Sequence, residues 1–403
     1  MSIKTLVKYY NNTNLVLRII IGIIIGAVCA YIFPKYTWIS VLGDLFVGSL
    51  KAIAPFLVFI LVLASLVKSV VRHSSGFRVV IFLYLISTII ASLIAVTASF
   101  IFPQNLIFSA QSFDIRSVPQ GIYSVVQNLL IKIVINPLES LREGNYLGIL
   151  FWAIISGIAL RDLACEETKK VLQDFSKGTA KIVYWIINLA PIGISGLVYN
   201  AFSTHGIGVI AAYGKLILLL IGCMIFVYFV ANPLIVFFTI RQNPYPLVIQ
   251  CLKESAITAF FTRSSAANIP VNMALCEKLG LDPDMYSISI PLGATINMSG
   301  AAITISIMTL AAAFTLGIQV TFPMALILSI LSAFAACGAS GIAGGSLLLI
   351  PMACSLFGIP NDISIQVVGI GFIVGVIQDS METALNSASD VIFTATADYY
   401  SRK

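Results

Sequence analysis

The stretch Gly338-Ala-Ser-Gly-Ile-Ala-Gly-Gly-Ser346 decides how this chain is built. It lies within residues 285–361, which carry no charged side chain, yet its glycines and serines are poor at continuing a helix. The apolar arms beside it run only about 15 and about 10 residues, short of the roughly 20 needed to cross a 30 Å hydrocarbon core. Arms that short can enter a membrane and return. Thr262-Arg-Ser-Ser-Ala-Ala-Asn-Ile-Pro270 is flanked in the same way. Non-helical backbone at membrane depth is tolerated only where protein buries it or it lines a cavity. Residues 245–280 and 322–358 are therefore predicted to be re-entrant helical hairpins. Each precedes a long helix, 284–316 (broken at Pro291-Leu-Gly-Ala-Thr-Ile-Asn-Met-Ser-Gly300) and 362–399. The first hairpin follows Arg241 and enters from the cytoplasmic side; one crossing later, the second enters from outside. A hairpin and helix repeated in opposite orientation form an inverted repeat, which points to a transport site at the bilayer midplane.

The composition agrees. Of 403 residues, 59% are hydrophobic and only 10% charged, with mean hydropathy +1.00; soluble domains carry about 25% charged residues. Leu216–Ile240 contains no charge at all. The fold class expected is an all-α multi-pass membrane protein with about eight transmembrane helices, two re-entrant hairpins and inverted repeats. Apolar spans are placed at 15–34, 45–71, 79–102, 119–160, 181–203 and 214–240, of which 119–160 is irregular around Pro137, Glu139, Arg142 and Glu143. Basic residues gather in alternate linkers: Arg72 and Arg78 with His73, then Arg161, Lys169, Lys170, Lys177 and Lys181, then Arg241. Such enrichment marks the cytoplasmic side and puts both termini there. The first residues lack a cleavage site after a short apolar core, so they read as a retained cytoplasmic end. The net charge of +6 fits cytoplasmic loops better than nucleic-acid binding. The seven cysteines form no CxxC pair or Cys/His cluster, which argues against a metal site or disulfide framework. His73 and His205 read as solvated linker residues, and Trp38, Trp152 and Trp185 as interface or packing aromatics. No nucleophile–base set or phosphate loop supports an enzyme.

The chemistry concentrates in Gln378-Asp-Ser-Met-Glu-Thr-Ala-Leu-Asn-Ser-Ala-Ser-Asp390. At about 100° per residue, Asp379, Thr383, Asn386 and Asp390 share one helix face, with Glu382 at its edge. Carboxylates in a membrane helix without cationic neighbours need a cation from elsewhere. Asp379 suits a substrate ammonium; an ion pair with Arg263 is the competing reading. Glu382 either pairs with Arg263 or is protonated, and the competing reading of Arg263 is a side chain that snorkels to the cytoplasm. The Ser264-Ser265-Ala-Ala-Asn268 tip offers backbone N–H groups to an anion such as a carboxylate, unless it is a plain solvated loop. The Gly-rich tip 338–346 lets backbone approach a ligand, or simply packs helices closely. Asn297-Met-Ser-Gly300 exposes carbonyls that suit an alkali cation, with Asn386 and Asp390 alongside; a glycine kink is the bland reading.

These four segments, in this order and spacing, resemble the dicarboxylate/amino acid:cation symporter family, the glutamate transporter fold, along the whole chain. Within it the pattern is most similar to bacterial members that carry serine and threonine. The resemblance implies sodium-coupled import by secondary active transport, with elevator-type alternating access, a homotrimer in the bacterial plasma (inner) membrane, and no organic cofactor. Residues 1–78 and 103–240 would form the scaffold, and 79–102 with 241–403 the transport domain. By position, Ser264, Ser265 and Asn386 would hold the substrate carboxylate, Asp379 its ammonium, with Thr383 nearby and Ile342 supplying a backbone contact. One sodium would lie among Asp390, Asn386, Asn297 and the Gly293 carbonyl. Another would be bound by Thr295 and the carbonyls of Ala336, Cys337 and Ala339, with Met298 between the ions. Tyr84, Ser87, Thr88 and Asn297 match a third sodium site, where the family's Asp is replaced by Ser299. Acidic-substrate members carry an Arg at the place of Glu382, and a carboxylate there would repel an acidic side chain. Arg263 pulls the other way, since some acidic-substrate members have an Arg in this hairpin. Ala301 also replaces a hydroxyl residue common in the family. The alternatives are an acidic amino acid or dicarboxylate symporter, driven by sodium or protons, and a cation channel.

Overall fold

A computed structural model describes residues 15–68, 75–108, 131, 133–206, 208–338 and 344–402, and every regular element among them is helical. The N-terminal stretch, Arg72, His73, Ala339, Ile342 and most of the irregular span's first half lie outside the described residues. The chain opens with α1 (Leu15–Ile32), α2 (Ser40–Lys68) and α3 (Ser75–Ile101). Their apolar side chains do not all turn inward: Leu17, Ile24, Leu45 and Phe82 are exposed. A helix that is apolar all round is suited to lipid contact on one side and protein on the other. Five helical segments among the described residues are long and apolar enough to cross a membrane, or six counting one bent pair. Three shorter apolar helices, Leu17–Ile32, Phe322–Ala336 and Ser346–Ser355, accompany them.

After α4 (Pro137–Glu143) and α5 (Tyr146–Leu163) the structure departs from the expected linker over 161–181. This stretch is mostly helix, α6 (Glu166–Asn188), followed by α7 (Ala190–His205) at a 52° bend. Glu166 and Glu167 lie in the first turn, where acids complement the helix dipole, and Lys169 pairs with Glu166 at 3.0 Å. The charges that suggested a loop therefore stabilise a helix whose polar face carries them. Pro191, early in α7, marks the bend.

α8 (Gly208–Phe226) runs through a π-helical turn, Val227–Ala231, into α9 (Asn232–Ile240), which stops at Arg241 with φ 52°. Then come α10 (Tyr245–Cys251), a second π-turn (Leu252–Ala256), α11 (Ile257–Thr262) and, after a reversal at Arg263, α12 (Ser265–Lys278). The first long helix is α13 (Pro283–Ile296) and α14 (Ser299–Thr315), broken at Asn297–Met298 as the sequence suggested. α15 (Phe322–Ala336), a short 3-10 turn (Ser346–Leu349) and α16 (Ile350–Ser355) lead to α17 (Asn361–Ser401).

α13–α14 and α17 bury 89% and 83% of their most apolar stretch, against 39–50% for α2, α3 and α8–α9. They are the centre, and the others wrap them. α1 packs on α7, and α2 on α5, α6 and α7. α3 packs on α14, α15 and α17, while α8 and α9 also lie against α17 rather than with α1 and α2.

Candidate functional site

Asp379, Glu382, Asn386 and Asp390 stand along one side of α17, none more than 5% exposed. Ionised groups at such depth must find partners or become neutral, and each carboxylate is answered differently.

Asp379 is held from two sides. Its Oδ2 accepts from Arg263 Nε at 2.7 Å and lies 2.7 Å from Nη2, while its Oδ1 accepts the Gly344 N–H at 2.9 Å. Arg263 occupies the left-handed region (φ 52°), uncommon without glycine, and Gly344 does so too at φ 71°. Arg263 is 8% exposed, so it does not snorkel to water. Nor does it pair with Glu382. Glu382 Oε2 instead accepts from Gln378 Nε2 (2.5 Å), Thr304 Oγ1 (2.8 Å) and Ser346 Oγ (2.9 Å), all neutral donors. Glu382 lies one helical turn from Asp379, against the start of α14, where a Cβ on Gly300 would come within 2.9 Å of the Glu382 Cα.

Asn297, at the break between α13 and α14, donates its Nδ2 to Asp390 Oδ1 (2.9 Å) and to the Asn386 carbonyl (3.3 Å). Asn386 Oδ1 accepts the Gly300 N–H at 2.7 Å, and its Nδ2 faces Met298 Sδ at 3.4 Å. Asn297 Oδ1 and Asp390 Oδ2 are buried with no hydrogen-bond partner among the described residues. Buried oxygens without a donor are rare and costly, and these two are acceptors of the kind a hard cation takes. Gly293 makes the approach possible: a Cβ there would stand 2.6 Å from Asp390 Oδ1 and 2.8 Å from the Tyr84 hydroxyl. No cluster of three His, Cys, Asp or Glu occurs among the described residues.

The other expected sets assemble less fully. Cys337 Sγ lies 3.4 Å from the Ile296 carbonyl, bringing the end of α15 beside the break, with Ala336 buried. Thr295 Oγ1 donates to its own helix at Leu292, 2.7 Å away. Among the third set, Tyr84 Oη donates to the Asp390 carbonyl (3.2 Å), Ser87 bonds Ser299 (3.0 Å) and Asn232 (3.1 Å), and Thr88 returns to the Tyr84 carbonyl. No described hydrogen bond links these hydroxyls to Asn297.

Ser264 caps α12, accepting the Ala267 N–H at 3.2 Å, and Ser265 is buried behind it. Thr383 Oγ1 donates to the Asp379 carbonyl at 2.8 Å. A cavity of about 10 Å³ touches Arg263, Gly344 and Asp379 on one side and Ile19, Ile187 and Ala190 on the other. Asp379 thus looks toward α1, α6 and α7, while Glu382, Asn386 and Asp390 face α13–α14. Sequence reading passed over Gln378, Thr304 and Ser346, although the i,i+4 spacing of Gln378 and Glu382 was a usable signal. It also passed over a buried lattice in which Asn272 Nδ2 donates to Ser387 (carbonyl 2.9 Å, hydroxyl 3.1 Å) and Asn268 Nδ2 to Ser387 Oγ (2.9 Å). Ser255 Oγ completes it on Asn272, fastening both arms around Arg263 to α17.

A sequence model described as the Sodium:dicarboxylate symporter family matches residues 15–400. A protein named Serine/threonine transporter SstT from Bifidobacterium adolescentis is 55% identical over 400 residues, covering 99% of this chain and 93% of that protein. Proteins of the same name from Streptococcus agalactiae and Streptococcus thermophilus are 57% and 56% identical over 395 residues, covering 98% of both chains in each case.

Proposed function

The chain belongs to the sodium:dicarboxylate symporter family, and from that premise we propose that it imports serine or threonine with sodium. Membership makes it a transporter and not an enzyme. The observation that carries the coupling is the pair of unpartnered oxygens, Asn297 Oδ1 and Asp390 Oδ2, beside the break in α13–α14. A sodium ion held there by these two, with the Gly293 carbonyl and Asn386, would supply the positive charge that Asp390 lacks. A second ion at Thr295 and the carbonyls of Ala336, Cys337 and Ala339 would tie the tip after α15 to the same break. The third set has its hydroxyls engaged by Ser299, Asn232 and backbone carbonyls, so it supports a sodium site less.

The substrate lies, in this reading, where Arg263 and Asp379 now meet. Its ammonium takes Asp379; its carboxylate takes the Ser264–Ser265 turn and Asn386, with Thr383 and Ile342 alongside. The relatives' name specifies serine and threonine, and Glu382 fits a neutral side chain. Held by three neutral donors, it would meet an acidic side chain as a second carboxylate.

The arms 245–280 and 322–358 act as re-entrant hairpins, and the helices centred on α17 move as one body against α1, α2, α5, α6 and α7. Residues 103–240 were expected in the scaffold, but the contacts of α8 and α9 with α17 support counting those two helices with the moving body. We extend the reading to a homotrimer in the bacterial inner membrane with both termini cytoplasmic.

Purified protein in liposomes should accumulate labelled serine when an inward sodium gradient is imposed, and threonine should compete. Accumulation indifferent to that gradient would sink the coupling, and competition by aspartate but not threonine would sink the substrate assignment.

A further inference from the structure

Gln378 is fully buried on α17, and its amide is held in one orientation. Nε2 donates to Glu382 Oε2 (2.5 Å) and to Thr304 Oγ1 (2.7 Å). A carboxylate oxygen that also receives Thr304 and Ser346 hydroxyls requires nitrogen, not oxygen, on the side of the amide that faces it. Oε1 is therefore turned the other way, and it is buried with no hydrogen-bond partner among the described residues. It lies 3.9 Å from where a Cβ on Gly375 would stand, with Leu347 Cδ1 at 3.8 Å from the same point. Gly375 and Leu347 both line the small cavity bordered by Arg263 and Asp379. The place assigned to the substrate ammonium thus has, just behind a glycine, a fixed carbonyl oxygen that lacks a donor among the described residues.

We propose that Gln378 Oε1 accepts the hydroxyl of the substrate side chain and sets the preference for hydroxy amino acids, with Glu382 as the positioning residue that fixes the amide. The inference rests on the serine/threonine reading above and adds the group that reads the side chain. Serine and threonine share a Cβ hydroxyl, which satisfies Oε1; alanine enters the same space and leaves this buried oxygen unpaired, at the cost of an unmade hydrogen bond. Gly375 is part of the device, since a methyl group there would stand 3.9 Å from Oε1 and fill space beside the cavity that Gly375 lines.

The test is competition against labelled serine uptake, driven into proteoliposomes by an inward sodium gradient, by serine, alanine and 3-fluoroalanine, which matches serine in size but donates no proton. In the wild-type protein serine should compete about tenfold better than either analogue, the worth of one net hydrogen bond. Gln378→Met, which keeps length without an acceptor, should bring the ratio close to one, and Gly375→Ala should reduce it. Equal competition by serine and 3-fluoroalanine in the wild-type protein would overturn the proposal, and this holds whether or not the variants fold. A Gln378→Met protein that loses serine and alanine in parallel, with the ratio kept, would also overturn it by making Gln378 a strut for Glu382. Wild-type protein with no sodium-driven serine uptake would overturn the transport reading itself, and the inference with it.

Discussion

Replacing Asp379 with Ala separates two roles that one ion pair combines. The Arg263 and Asp379 side chains are 10% and 3% exposed and meet at 2.7 Å. Removing one member of a buried pair leaves a charge without compensation and costs about 3–5 kcal/mol, whereas replacing both with apolar side chains of similar volume is often near neutral. Asp379→Ala also deprives the Gly344 N–H of its acceptor, worth about 1–3 kcal/mol if that group stays buried. The single variant should therefore melt well below the wild-type protein in detergent, and the double variant Asp379→Ala with Arg263→Met, which keeps most of the arginine's volume without its charge, should recover much of the loss. Serine binding should behave otherwise. A hydrogen bond to a charged group is worth about 1.5–3 kcal/mol, so losing the ammonium seat weakens serine about 10- to 100-fold. That loss should persist in the double variant, because the carboxylate is still missing. Thermal unfolding and calorimetric titration with serine in sodium measure both quantities on the same preparations. Recovery of wild-type serine affinity in the double variant would refute the ammonium assignment and leave Asp379 a purely structural partner of Arg263. Undiminished stability in the single variant would refute the estimate of the buried pair.

Three further outcomes follow from the same geometry. Asp390→Asn should raise the sodium concentration for half-maximal serine uptake at least about tenfold, since one charge-assisted contact is lost; an unchanged sodium curve would remove Asp390 from the ion site. Gly293→Ala would drive a methyl group to within 2.6 Å of Asp390 Oδ1, so sodium-dependent uptake should fall more than with Asp390→Asn. A variant with normal uptake would show that the site relaxes more freely than its packing indicates. Glu382→Arg should let excess aspartate compete with labelled serine, and selectivity that stays as before would mean that position 382 does not face the side chain.

The sequence showed the break at Asn297–Met298, the reversal at Arg263 and the long final helix, because each rests on a local signal: a polar interruption in a charge-free run, or a carboxylate stripe of helical period. It misplaced α6 for an equally local reason. Lysines and acids between apolar runs look like a linker, yet at i,i+3 spacing they support an amphipathic helix that only packing against α2 and α7 makes plain. Partner choice was not legible. Arg263 is 116 positions from Asp379 and 119 from Glu382, and nothing in one chain's order says which carboxylate the guanidinium reaches. The same holds for Thr304 and Ser346, which look like ordinary small polar residues until α17 brings Glu382 between them.

The two cation seats proposed on α17 would share a lever, and this would give coupling a physical form. Asn297 donates to Asp390 and to the Asn386 carbonyl, while Asn386 Oδ1 holds the Gly300 N–H at the other end of the same break. A sodium ion between Asn297 Oδ1 and Asp390 Oδ2 would order the break from one side. Asn386, fixed by that order, is also the residue assigned to the substrate carboxylate, two turns from Asp379. Each ligand would then find part of its site already arranged by the other, so neither needs to bear the whole ordering cost. Coupling of this kind is reciprocal and commonly worth about 1–3 kcal/mol, or roughly 5- to 150-fold in affinity. A symporter needs that reciprocity, because a carrier that bound sodium and serine independently would carry either one alone.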